Sequence, residues 1–336
     1  MPFKVVITAF GPVSNTTHEN EGLKPIDTTA FVSKATTEDE YIADVKDADA
    51  IITGRFAINE RVLSSLTKCK VVSTNGVGVD RIDLDGATRH NIVVTNVPDV
   101  FIEEVSVHAF MLLLALAKKT VVLDRLVREG RWREQRSHMS PMPRVVGDTL
   151  GLVAFGNIPR LVTEKANGFK MNVIAWDPYQ PDDVFRQHGV ERVTDLIELF
   201  RRSDFVSAHL PLNAGTKGLL NYACFSAMKP TGYFINTGRG PTHNEADLIR
   251  ALREKKLAGA GLDVMEIEPT LPDNPLHTME NVVLMPHSAS VSDWSDVARR
   301  KRVGEEIADV LRGRMPRFVV NKDVLKTVSL AELVRA

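Results

Sequence analysis

Residues 149–177 read TLGLVAFGNIPRLVTEKANGFKMNVIAWD, and no other stretch narrows the choice of fold as much. Leu150 to Phe155 is a short apolar run with the length of a buried parallel strand. A tight turn follows, then the helix-spaced set Leu161, Val162, Ala166 and Phe169, with Gly168 near the helix end as a candidate C-cap. A second apolar run, Val173 to Trp176, closes on Asp177. That acid lies about 20 residues beyond the turn, the spacing at which a carboxylate reaches an adenosine ribose. Strand, turn, helix, strand and acid, in this order, read as the first βαβ unit of a dinucleotide-binding domain.

The turn is degenerate. The ideal motif carries three glycines: one for the turn, one for backbone approach to the pyrophosphate, one for close helix packing. Ala154, Gly156 and Pro159 hold those places, so only the phosphate-facing glycine is retained. A proline in the first helical turn gives up an N–H that has no partner there anyway. The Ala154 methyl and the Pro159 ring occupy space that the ideal motif leaves open, which bears on cofactor affinity and not on the fold. Taken alone, the stretch also fits an ordinary βα turn in another α/β protein.

A chain of 336 residues has room for two domains. The formal net charge of -1, with no long run of one sign, argues against nucleic acid and anionic membrane surfaces as partners. Cys69 and Cys224, far apart, support neither a disulfide framework nor a zinc or other metal site, and fit a reducing cytoplasm. No signal peptide is visible and no apolar stretch approaches membrane-spanning length.

β-type runs at Val5 to Phe10, Ala50 to Thr53, Val71 to Thr74 and Ile92 to Thr95 alternate with helical patterns at Glu38 to Lys46 and Asn59 to Leu66. The first of those helices opens on the capping-box pair Thr37 and Glu40. Glu103 to Lys119 is a long helical stretch whose centre is apolar all round, as in a helix buried between domains or against a partner subunit. A polar stretch, Arg131 to Arg144, leads into the fingerprint. The alternation then restarts, with strands at 150–155, 172–176, 205–209, 233–236, 258–264 and 282–285 and helices at 193–202, 221–228 and 245–254. The expectation is an α/β chain of two doubly wound parallel-sheet, Rossmann-like domains with an interdomain cleft. Residues 1–102 plus 288–336 form a discontinuous, flavodoxin-like substrate domain, completed by the amphipathic helix Ser292 to Arg312. Residues 103–287 form the dinucleotide-binding domain.

Three residues stand just past strands of that second domain, where ligands of doubly wound sheets bind. Arg239 follows YFINT in a Gly-Arg-Gly turn, Glu268 follows AGLDV, and His287 ends VVLMP. Reduction of a 2-oxo acid needs this set. A guanidinium binds the carboxylate or polarises the carbonyl, an imidazole donates the proton as hydride arrives, and a carboxylate holds the imidazole in place. Each also has an ordinary structural reading: a hydrogen-bonded strand-end histidine, a surface turn, a solvated glutamate.

The runs TNGVGVDRIDL (74–84), VVTNVP (93–98), HLPLNAGTKGLLN (209–221), MKPTGYFINTGRG (228–240), AGLDVMEIEP (260–269) and MPHSAS (285–290) closely resemble the D-isomer-specific 2-hydroxyacid dehydrogenase family. The stretch 293–321 is similar to the branch containing the C-terminal binding proteins. The resemblance implies an NAD-dependent enzyme acting on a small carboxylated substrate, a homodimer, and catalytic roles for Arg239, Glu268 and His287. It implies that backbone N–H groups of Gly76, Val77 and Gly78 hold the substrate carboxylate together with Arg239. It places Ala154, Gly156, Asn157, Ile158, Asp177, Pro211, Thr216, Thr237, Gly238 and Asp263 along the cofactor, with Asp177 favouring NAD over NADP. The sequence departs from the family at Ala154, Asn157 and Pro159, where it commonly has Gly, a basic residue and Gly, and at Ile102 and Val107, where it commonly has Thr and Glu. His108, Arg55, Phe56, Thr74, Asn75, Met142 and Ser290 are further pocket candidates.

Three functions fit these residues. The first is NAD-dependent reduction of a 2-oxo acid to a D-2-hydroxy acid, or the reverse. The second is a lyase or hydrolase that keeps the acid-base set without the dinucleotide, motivated by the degenerate turn. The third is a non-catalytic, NAD(H)-responsive corepressor-like protein, motivated by the branch-like stretch, although Ser290 stands where that branch carries a tryptophan.

Overall fold

Two parallel sheets organise two units, Met1–Phe101 with Ser292–Ala336 and Ile102–Val291, in a computed structural model that describes residues 2–8 and 15–331. In the first unit, β1 (Val5–Ile7), β2 (Ala30–Val32), β3 (Ala50–Thr53), β4 (Val71–Thr74) and β5 (Val93–Thr95) lie in the order β2-β1-β3-β4-β5. All pairs are parallel, and the order is that of a flavodoxin-like sheet. The run expected to reach Phe10 is a strand over Val5–Ile7; residues 9 and 10 lie outside the described residues. Edge strand β2 has no signal in the sequence, being three residues long with Phe31 half exposed.

The core of this unit packs Val6, Ile51, Val72 and Val94 of the sheet against Tyr41, Val45, Ile58 and Val62. The capping box at Thr37 forms as expected, so the helix Glu38–Val45 starts where its pattern says. The helix Asp293–Leu311 packs on β4 and crosses the helix Thr17–Leu23 at Gly22 and Gly304. A Cβ on Gly22 would lie 2.2 Å from the Lys301 carbonyl oxygen, and one on Gly304 2.3 Å from that of Glu19. Beside this contact the buried Glu19 carboxylate takes two hydrogen bonds from Arg300, at 2.7 and 2.9 Å. Asn321 then binds the edge of the sheet: its Oδ1 accepts the Val94 N–H at 2.8 Å and its amide donates to the Ile92 carbonyl at 2.9 Å.

In the second unit, seven parallel strands run β12-β11-β10-β9-β6-β7-β8. They are β6 (Thr149–Val153), β7 (Asn172–Trp176), β8 (Glu191–Arg192), β9 (Phe205–Ala208), β10 (Tyr233–Asn236), β11 (Gly259–Leu262) and β12 (Val282–Leu284). The winding reverses between β6 and β9, which makes the C-terminal ends of those strands the place for a ligand. Inner strands β9, β10 and β11 are buried at every residue, which is why they read as near-continuous apolar runs. The helix Ile102–Ala117 buries Ala109, Leu112, Leu113 and Leu116, and Gly261 admits it: an added Cβ would sit 3.1–3.2 Å from Leu116 and Leu112 atoms. This helix is not buried all round, since Val107 and Met111 are exposed.

Gly168 does not cap its helix. The helix Asn157–Gly168 closes through bonds from Met171 N–H to the Ala166 carbonyl and from Lys170 N–H to that of Asn167. This is a Schellman closure, whose left-handed residue is Lys170 at φ 56. Phe169 packs against Phe110 with ring centroids 4.9 Å apart and the rings tilted by 55°. No single helix among the described residues is long and apolar enough to cross a membrane.

Replacing Gly304 by alanine forces apart two helix backbones in close contact. The variant is expected to lose about 1–3 kcal/mol, read as a lowered denaturant midpoint. An unchanged midpoint would show that the crossing has slack.

Candidate active site

The phosphate turn is built in spite of its missing glycines. β6 ends at Ala154, which takes φ 77, the left-handed conformation in which glycine is usual. Two bonds hold it there: Ala154 N–H donates to the Trp176 carbonyl and Phe155 N–H to Asp177 Oδ2, both at 2.9 Å. Asp177, only 9% exposed, also accepts the N–H groups of Tyr179 and Gln180 on Oδ1, at 2.8 and 3.2 Å. One carboxylate therefore ties the turn after β6 to the turn after β7.

Gly156 heads the next helix with no side-chain cap, and a Cβ added to it meets nothing within 4 Å. Open space in front of an uncapped helix terminus is what a pyrophosphate requires. Asn157 and Ile158 are accessible while Pro159 is buried, so the proline ring is turned inward and leaves the mouth of the turn clear. The residues present therefore fit the cofactor. Arg160 was not picked out from the sequence. Its Nε donates to the Phe155 carbonyl and its Nη2 to Gln180 Oε1, both at 3.1 Å. The signal was available: Arg160 lies three residues after Asn157, on the same helix face as the place where the family commonly has its basic residue.

Along the same sheet edge, Pro211 and Thr216 close the loop after β9, where the Thr216 hydroxyl donates to the Pro211 carbonyl at 2.6 Å. Thr237 Oγ1 lies 3.4 Å from His209 Nδ1. Burial pushes the His209 imidazole down to about 3, so it is neutral. Gly238 passes the backbone of Leu210 so closely that a Cβ would lie 2.9 Å from its carbonyl oxygen. Gly240 is tighter still, 1.7 Å from the Met265 oxygen. The two glycines fix where Arg239 leaves the chain.

Glu268 and His287 are in direct contact, Nδ1 to Oε2 at 2.7 Å, and Glu268 Oε1 accepts the Met265 N–H at 2.9 Å. Burial opposes ionisation of Glu268. The hydrogen bonds from His287 and Met265, with the charges of His287 and Arg239, outweigh it and hold the carboxyl below its usual range. Arg239 is thus close enough to Glu268 for its charge to act there, and its Nη1 also donates to the Gly238 carbonyl at 2.8 Å.

His287 has φ 53 and hands its N–H to the Asp263 carbonyl at 2.8 Å. The buried Asp263 carboxylate accepts the next two N–H groups, Ser288 on Oδ1 and Ala289 on Oδ2, each at 2.9 Å. Its ionisation too is opposed by burial, and favoured more strongly by His108 and these two N–H groups. His108 Nε2 lies 3.3 Å from Oδ1 as an ion-pair contact without hydrogen-bond alignment.

In the first unit, the loop 76–78 follows β4. Its carbonyls are engaged, Gly76 by Val97 N–H at 3.0 Å and Val77 by the Asn96 amide at 2.8 Å. Asn75 Oδ1 is buried with no hydrogen-bond partner among the described residues.

The family model for the D-isomer specific 2-hydroxyacid dehydrogenase, NAD binding domain, matches residues 110–289. A glyoxylate reductase of Korarchaeum cryptofilum (strain OPF8) is 39% identical over 287 residues, 85% of this chain and 86% of that protein. Among solved structures, the holo form of Rhodotorula graminis D-mandelate dehydrogenase matches with a TM-score of 0.83 at 27% identity, covering 94% of this chain and 96% of that one. The NADPH-dependent glyoxylate/hydroxypyruvate reductase of Sinorhizobium meliloti, solved with NADP and malonate, matches with a TM-score of 0.82 at 28% identity, covering 95% and 98%. The chain belongs to the D-isomer-specific 2-hydroxyacid dehydrogenase family, enzymes that interconvert 2-oxo acids and D-2-hydroxy acids with a nicotinamide dinucleotide, and residues 110–289 are its NAD-binding domain.

Proposed function

We propose that this chain reduces a small 2-oxo acid of the glyoxylate or hydroxypyruvate kind, with His287 as proton donor, Glu268 as its support and Arg239 as the substrate's cationic partner. The contact of 2.7 Å between His287 and Glu268 carries this reading. It occupies Nδ1 and leaves Nε2 to face the reacting oxygen. A nicotinamide dinucleotide held along Gly156, Asp177 and Thr237 would supply the hydride for the carbonyl carbon. His287 gives its proton to the carbonyl oxygen as negative charge develops there, and Glu268 holds the ring in place through Nδ1. Arg239 holds the carboxylate or polarises the carbonyl. In the oxidative direction His287 takes the proton back.

NADH is the preferred coenzyme in this reading. The Asp177 carboxylate, fixed by three backbone N–H groups, favours ribose hydroxyls and repels a 2′-phosphate. Because the degenerate turn still forms an open cradle, the motive for a dinucleotide-independent lyase or hydrolase falls away. The branch-like stretch 293–321 is largely used in packing, by Arg300 on Glu19, Gly304 on Gly22 and Asn321 on β5, which favours an enzyme over a corepressor-like protein. A homodimer accords with the apolar side chains exposed between residues 121 and 142, including Val121, Val127, Trp132 and Met139. Two buried free cysteines suit a reducing cytoplasm.

His287→Gln is expected to lower kcat by roughly 10²–10⁴ with NADH binding intact, measured by NADH consumption against a panel of 2-oxo acids. A loss under about tenfold would dismiss His287 as the donor. Asp177→Asn is expected to narrow the NADH-over-NADPH ratio of kcat/KM by about tenfold, or ~1.4 kcal/mol. An unmoved ratio would remove Asp177 from coenzyme choice. Because the Glu268 carboxyl is held below its usual range in the folded state, its pairing with His287 stabilises the protein above that range and is lost as pH falls through the lowered value. Wild type and Glu268→Gln should therefore differ most in Tm near neutral pH and converge in acid. A gap that does not change with pH would refute the pairing.

A further inference from the structure

Behind Arg239 lies a buried polar cluster that takes no part in the chemistry described above. Asn236 and Thr242 are fully buried and His243 is 1% exposed. Asn236 Oδ1 accepts the Gly238 N–H at 2.9 Å, which fixes the orientation of the amide, since an N–H can only donate. The amide nitrogen must then donate. Its partners are His243 Nδ1 at 3.0 Å and the Arg239 carbonyl at 3.1 Å, with the Thr242 hydroxyl oxygen farther off at 3.5 Å. His243 Nδ1 is therefore an acceptor, and the ring proton sits on Nε2. Burial pushes this imidazole down to about 4, so it stays neutral and the acceptor persists across the physiological range. The Thr242 hydroxyl completes the cluster by donating to the Arg239 carbonyl at 2.6 Å.

The chain is thus gripped by side chains on both sides of Arg239: at the Gly238 N–H one residue before it and at the Arg239 carbonyl just after it. The grip depends on the amide of Asn236 keeping its orientation, and His243 is the residue that makes the flipped orientation unfavourable, because a flip would set Oδ1 against Nδ1. His243 Nε2 is buried and has no hydrogen-bond partner among the described residues. An apolar side chain of similar size would remove this orphan but would leave the buried Asn236 N–H without the acceptor that Nδ1 provides.

We propose that His243, acting through Asn236 and with Thr242, is a positioning residue that sets the direction in which the Arg239 guanidinium is presented to the carboxylate of the substrate. The inference rests on the reading of Arg239 as the substrate's cationic partner. Its signature is a loss of substrate affinity larger than any loss of coenzyme affinity, because the phosphate turn lies on other strands.

The test uses the full-length enzyme with NADH, a 2-oxo acid substrate and oxamate as an unreactive carboxylate probe. His243→Leu removes the acceptor and the orphan together. It is expected to raise KM and the oxamate inhibition constant about tenfold, with the NADH Kd within about threefold of wild type. His243→Asn returns an acceptor near the Nδ1 position and is expected to restore both constants to within about threefold of wild type. Arg239→Lys, run alongside, tests the underlying assignment. If Arg239→Lys weakens oxamate and His243→Leu does not, the positioning role is wrong and the Arg239 assignment stands. If Arg239→Lys leaves oxamate binding unchanged, both fail. If His243→Leu instead lowers Tm and weakens NADH and oxamate alike, His243 is a structural residue only and the proposal is overturned.

Discussion

Much of the active-site geometry depends on one buried carboxylate, that of Asp263 at the end of β11. An ionised group without solvent is tolerated only when its lone pairs are filled. Here they are filled by the Ser288 and Ala289 N–H groups, with His108 close by. Satisfying that charge wraps the segment 287–289 around it, and the wrapping turns His287 into a left-handed conformation that an isolated chain rarely adopts. The strain falls on the residue proposed above as the proton donor. The Asp263 main-chain carbonyl then takes the His287 N–H, so a single residue holds both the approach to the imidazole and the exit from it.

Asp177 repeats the device one strand position away from the winding reversal. Its carboxylate ties two loops through three N–H groups, and by doing so keeps Ala154 in a conformation that normally calls for glycine. A phosphate turn is usually recognised by its glycines, but the requirement is conformational and spatial. The turn needs a left-handed residue and an unobstructed mouth. Alanine with external hydrogen bonds meets the first need at some cost in strain, and an inward-facing proline meets the second.

The sequence shows the sheets more plainly than it shows their edges. Inner strands such as Phe205–Ala208 and Tyr233–Asn236 are buried on both faces and leave unbroken apolar runs, so both their existence and their order with helices are legible. Ala30–Val32 and Glu191–Arg192 lie at sheet edges, where solvent admits polar or isolated residues, and neither shows a pattern. Gly168 is the last helical residue, but the left-handed position that closes the helix falls two residues later, on Lys170, with Phe169 between them packed on Phe110. At the site, residues whose chemistry is distinctive, Arg239, Glu268 and His287, stand out after strands. Asn236, Thr242 and His243 do not, since their importance lies in hydrogen bonds to the main chain, and no spacing rule reveals those. Arg160 is an intermediate case, visible only when helical periodicity is applied to the missing basic residue.

The crossing of Gly22 and Gly304 has a consequence for how the molecule comes into being. Two segments nearly three hundred positions apart must meet before the five-stranded sheet is covered, whereas the seven-stranded sheet closes within one continuous length of chain. During synthesis on the ribosome, the coenzyme-binding lobe has all its strands before the helix Asp293–Leu311 is made. The earlier-made half-lobe has to wait, one face bare, for its partner helix to emerge, so the order of maturation runs opposite to the order of translation.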